Sequence, residues 1–108
     1  MAMRRACSYQ ATIRTPQAPG DYSEMLLTIQ QKGQNLINKT KDELTINETS
    51  VIVNLTQQET AQFAAGVPAL LQLRCYASAY NAPGSAAWGV DVLPALNDEI
   101  LGSAEVTP

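Results

Sequence analysis

The 108-residue chain contains no histidine, and that absence removes more chemistry than any other feature of its composition. Without an imidazole the commonest general base and the commonest metal ligand are missing, so neither a Ser-His-Asp nor a Cys-His nucleophile arrangement can be assembled within one chain. The only two cysteines, Cys7 and Cys75, lie far apart in sequence and lack the paired spacing of a zinc site. In a reducing compartment they read as two small buried hydrophobes at the inward parity of their strands. All six glycines are isolated, so there is no glycine-rich loop to cradle a phosphate. Only 16% of residues are charged, and the seven Lys and Arg are scattered rather than clustered, against what a nucleic-acid surface needs. There is no run of eighteen apolar residues to cross a bilayer, and the start, MAMRRACSYQ, has arginines without an apolar core behind them. The expectation is therefore synthesis and folding in a cytosol, with no cofactor, no metal, no small-molecule substrate, no nucleic acid and no membrane. The two carboxylate pairs, Asp42-Glu43 and Asp98-Glu99, are adjacent in sequence, and neighbours on a strand point to opposite faces, so they read as solvated charge rather than acid/base dyads.

What is present is strand grammar. From Ser50 onward, Val51, Val53 and Leu55 alternate with Ile52 and Asn54, the period-2 pattern of a strand. Thr56 stands three residues before Glu59, the spacing of a capping box, so one helical turn should open there and end by Gly66. Residues 24–31 form a strand with Met25, Leu27 and Ile29 on one face. Lys32-Gly33 serves as a two-residue reversal, and residues 34–40 return. A short strand at 44–46, a turn at 47–49 and the strand at 50–55 then predict an antiparallel meander. A long strand over 68–79 carries Ala69, Leu71, Leu73, Cys75 and Ala77 inward. Asn81-Ala-Pro-Gly84 is read as a type II turn, and residues 85–93 close a hairpin with Trp88, Val90 and Val92 inward.

At the N-terminus Cys7, Tyr9, Ala11 and Ile13 alternate with polar residues to give a first strand, followed by a Pro- and Gly-punctuated connection over residues 15–23. These segments predict an all-β fold, an Ig-like antiparallel β-sandwich of about seven strands with one short helical turn. The organisation is a strand and linker at 1–23, a sandwich domain at 24–101 and a tail at 102–108. The nine-residue linker is long enough for the first strand either to fold onto its own sandwich or to add to a neighbouring subunit, with the row through Tyr9 and Ile13 setting the register. On the long strand, Arg74 and Tyr76 share the outer parity, and Tyr with Arg is a pairing enriched at protein interfaces. Arg74, Tyr76, Tyr9 and Ile13 are thus the candidate protein-contact residues. Tyr22, Tyr76, Tyr80 and Trp88 supply the aromatic rings for an alternative role in binding a host-surface carbohydrate.

The order of these elements resembles a group of small proteins of tailed phages and prophages, related in pattern to the N-terminal domain of phage baseplate upper proteins. The residues that carry the resemblance are Gln31-Lys-Gly33, the LTQQET of Leu55 to Thr60 with Phe63 and Gly66, the QLR of Gln72 to Arg74, and the NDEIL of Asn97 to Leu101. It covers residues 25–101, and the N-terminal strand and the Ala-rich final hairpin depart from it. The resemblance implies a β-sandwich virion component without enzymatic activity, contacting copies of itself and other virion proteins in a tail, baseplate or capsid surface. It carries over no catalytic residue.

Overall fold

The computed structural model describes residues 2–85, 87–97 and 99–102. Eight strands form two sheets: β1 (Ala2–Arg4), β8 (Trp88–Leu93), β7 (Ala69–Tyr76), β3 (Glu24–Gln31) and β4 (Gln34–Thr40) make one, and β2 (Tyr9–Arg14), β6 (Ser50–Leu55) and β5 (Thr45–Ile46) make the other. The core lies between them. Leu27, Ile29, Val51, Val53, Leu71 and Val90 are each fully buried, and they occupy the alternate positions at which the period-2 pattern places inward side chains. Each such side chain contributes about 1.5–3 kcal/mol by leaving water, which makes this seam the main source of stability.

The β3–β4 hairpin turns at Lys32-Gly33, where both residues have positive φ, 55° and 75°, and Gln31 pairs with Gln34. Two consecutive left-handed residues define the type I′ turn whose twist matches that of the flanking strands. One register slip between Ile29 and Gln30 leaves Leu36 of β4 as a bulge. Helix α1 (Gln57–Thr60) has the expected capping box: the Glu59 amide donates to Thr56 Oγ1 at 3.2 Å, and the Thr56 amide donates to Glu59 Oε1 at 3.0 Å.

Three local expectations are corrected. Residues 7–14 do not form one strand. The chain makes a separate β1, turns through Ala6 at φ 59°, and starts β2 only at Tyr9. Cys7 therefore sits exposed in the turn while Cys75 is buried on β7, because a parity argument fails once a left-handed residue interrupts the strand. The predicted meander forms only in its second half: β5 and β6 pair antiparallel across the turn at Asn47, but β4 is not their neighbour. After β4 the chain crosses through a 3-10 turn at Lys41–Glu43 to the opposite sheet, so β5 and β6 do not continue the β3–β4 ladder. Finally, the loop after β7 reverses at Ala79-Tyr80, between the bridged pair Ser78 and Asn81, rather than at Pro83-Gly84. Pro83 and Gly84 instead run alongside β7, the carbonyl of Pro83 accepting from the Cys75 amide at 2.9 Å.

Of the two arrangements open to the N-terminal segment, packing on its own sandwich or on a neighbour, the described chain has the first: residues 2–23 contribute strands to both sheets. β1 pairs with β8, the single parallel ladder among the described strands, and β2 pairs with β6 along its whole length. Arg5 secures the turn between them, its Nε and Nη2 donating to the carbonyls of Phe63 at 2.7 Å and Ala61 at 3.0 Å just beyond α1. Thr60 Oγ1 donates to the Cys7 carbonyl at 2.8 Å. In the described chain the first strands thus close on their own body. Of the predicted tail at 102–108 only Gly102 falls within the described residues.

Candidate functional site

The residues that face away from the core on the five-stranded sheet form the broadest candidate surface. β7 lies between β3 and β8 in strand order, but β8 pairs only with residues 69–71, so the outward Arg74 and Tyr76 stand at the end of the sheet where the loop through Pro83 and Gly84 runs beside β7. Register sets Leu26 directly beside Arg74 and Glu24 beside Tyr76, with Thr40 of β4 next to Leu26. Together these residues line an open groove of about 400 Å³ whose floor is Met25 and Cys75. Tyr76 is 42% exposed, Leu26 36% and Leu70 48%, which leaves three large apolar groups uncovered on one face. Beside them runs a polar ladder, Thr28 Oγ1 donating to Asn38 at 3.1 Å and Gln30 to Asn35 at 2.8 Å, which keeps this face from being uniformly apolar.

Arg74 and Tyr76 are thus brought together as the outer parity requires. Tyr9 and Ile13 are not part of that surface. Both belong to β2 in the other sheet, where Tyr9 is half-buried with its phenol pKa raised by burial, and Ile13 is a core residue at 3% exposure. The aromatic set divides similarly. Tyr22 is buried at 1% exposure, its hydroxyl without a hydrogen-bond partner, and Trp88 is half-buried against the core. Tyr80 at the tip of the β7–β8 loop is fully exposed.

Two of the carboxylates, Glu43 and Glu59, are occupied structurally. Glu43 caps the 3-10 turn by accepting from the Thr40 amide at 3.1 Å, a second T-x-x-E box legible at Thr40 but passed over in the sequence. Glu59 serves the α1 box and also pairs with Lys39 at 2.9 Å. Burial pushes the Glu59 carboxyl upward, but the Thr56 amide and the Lys39 ammonium outweigh it and hold it below the ordinary carboxylate value. The Cys75 thiol is raised by burial, which keeps it protonated and unreactive. Among the described residues no three His, Cys, Asp or Glu side chains gather in a way that could hold a metal ion. Asp98, of the second carboxylate pair, lies outside the described residues.

Leu70 shares the outer parity of Arg74 and Tyr76, as the alternation of the long strand predicts, whereas sequence reasoning missed Leu26 as a surface residue, although it sits at the outward parity of a strand whose inward parity is already apolar. An apolar residue on the wrong face was the available signal. It also missed the Lys39–Glu59 pair, since nothing in sequence order links β4 to α1.

No protein-family model matches the chain, and no curated protein sequence is significantly similar to it. Solved structures do show its fold. The Ig-like domain of mouse leukocyte-associated immunoglobulin-like receptor 1, crystallised as a strand-swapped dimer, aligns with a TM-score of 0.52 at 6% identity over 86% of each chain. The extracellular domain of the same receptor gives 0.49 at 6% identity over 85% of each, and the V domain of amphioxus IgVJ-C2 gives 0.39 at 8% identity over 86% of this chain and 99% of that one. In the strand lettering of such domains, β2, β6 and β5 stand as B, E and D, while β4, β3, β7 and β8 stand as C′, C, F and G. The chain folds as an Ig-like β-sandwich.

Proposed function

We propose that this protein is a non-enzymatic structural component of a tailed phage particle, placed in the tail, baseplate or capsid surface and acting through symmetric contacts with copies of itself and other virion proteins. The observation that carries the reading is the Leu26–Arg74–Tyr76 groove. Exposed apolar side chains beside an arginine and a tyrosine, on the outer face at one end of the larger sheet, have the composition of an interface core. The occupied state of Glu43 and Glu59 supports the absence of catalysis, and the resemblance to baseplate proteins supplies the setting. Recognition of a host-surface carbohydrate is the weaker reading, because Tyr22 is buried and only Tyr76 and Tyr80 among the four aromatic candidates are largely exposed.

Peptide mass spectrometry of purified particles tests the proposal. The chain is expected at a copy number fixed by particle symmetry, since closed assemblies fix their stoichiometry. Particles that carry the neighbouring structural proteins but no peptide of this chain would refute it.

A further inference from the structure

Sheet edges invite pairing with other chains, and folded proteins blunt them with short strands, bulges, inward charges or proline. Three of the four edges here are blunted. β1 has three residues and β5 two. β4 carries the Leu36 bulge and the inward-pointing Lys39. β2 has none of these devices. It is six residues long, pairs with β6 in unbroken register, contains no proline and no inward charge, and among the described strands has no neighbour on its other side.

Beside that edge lies a groove of about 180 Å³ between β2 and the approach to β8, lined by Ile13, Arg14, Leu73, Pro83 and Trp88 among others. A row of unused backbone donors and acceptors next to an apolar groove is the arrangement that binds an extended peptide: the main chain supplies affinity and the groove receives alternate side chains. We propose that β2 and this groove accept one extended strand from a partner polypeptide, antiparallel to β2, with apolar side chains at alternate positions and an acidic group near its N-terminal end, opposite Arg14.

The chemistry of the occupant follows from the site. Arg14 is exposed, and no carboxylate is among the lining residues, so the groove has one positive charge to match. A second copy fits poorly. Every described strand of the chain is already paired, so a copy would have to give up part of its own fold to donate one. This groove shares only Cys75 with the Arg74–Tyr76 groove among their lining residues, and neither reading depends on the other.

Trp88 is the only tryptophan of the chain and lines the groove, so its emission reports occupancy. The probe is an acetylated octapeptide that begins with glutamate and then alternates valine and threonine. Saturable binding with a blue shift of Trp88 emission is expected. The same peptide with proline at the two alternate positions whose N–H groups face β2 should bind more than about tenfold more weakly, having lost two backbone hydrogen bonds. Arg14→Glu, at an exposed position, should weaken the glutamate peptide roughly threefold and favour a lysine-led version. No saturable shift at millimolar peptide, or equal binding by the proline version, overturns the proposal. A blue shift that grows with the protein's own concentration, without peptide, would assign the site to a second copy and also overturn it.

Discussion

Lys39 and Glu59 give the sharpest test of the energetics, because they join two elements far apart in sequence through one contact. Their side chains are 11% and 22% exposed and meet at 2.9 Å. Exposed pairs contribute about 0.2–1 kcal/mol, whereas stripping one partner from a fully buried pair costs about 3–5 kcal/mol. Intermediate burial places Glu59→Gln near 2 kcal/mol, since glutamine still fills the capping box but leaves the Lys39 ammonium unpaired and largely desolvated. Lys39→Met should cost less, about 1 kcal/mol, because Glu59 keeps its hydrogen bond from Thr56 and more of its solvent. The double variant should recover part of the loss, giving a coupling of about 1 kcal/mol in a double-mutant cycle by urea denaturation. The coupling must also depend on pH with a definite sign. The Glu59 pKa is lowered in the folded state, so its contribution is fully present above the unfolded carboxylate pKa and is lost as pH falls through the folded value. A cycle that gives no coupling at pH 7, or the same coupling at pH 7 and at pH 2, refutes the reasoning.

Tyr22→Phe should stabilise the domain by about 1 kcal/mol in the same denaturation assay, since the buried hydroxyl has no partner and its removal relieves a desolvation cost. In the native protein a thiol reagent should label Cys7 rapidly and Cys75 only after unfolding, as their exposure and the raised Cys75 pKa require; fast double labelling would contradict the placement of Cys75. Arg74→Glu combined with Tyr76→Ala should leave stability within about 0.5 kcal/mol, as is usual for outward positions, yet abolish incorporation into particles. Normal incorporation of that variant would exclude the groove as the contact surface.

The strands from Glu24 to Leu55 and the helical turn after them were legible residue by residue, since side-chain alternation and the T-x-x-E box are local properties of the chain. The same holds for the Lys32-Gly33 reversal, whose turn type is dictated by two residues. Alternation identifies which parity is apolar, and so the all-β sandwich class and the inward sets on β3, β6 and β7 followed from the sequence alone. It does not identify which strands become neighbours. The crossing from β4 to β5, the parallel β1–β8 ladder and the pairing of β2 with β6 are decided by how two twisted sheets close over one core, a global packing condition with no signature at any single position. The positions of Cys7 and Tyr22 turned on the same distinction: one left-handed residue at Ala6 removes Cys7 from the strand, and Tyr22, in a connection punctuated by proline and glycine, is drawn into the interior by the strands around it. Sequence determined that this chain would be a sandwich with Arg74 and Tyr76 on an outer face. Only tertiary structure made a groove of them with Leu26, and only it left β2 at an edge among the described strands, because an edge exists only once the other strands have found their places.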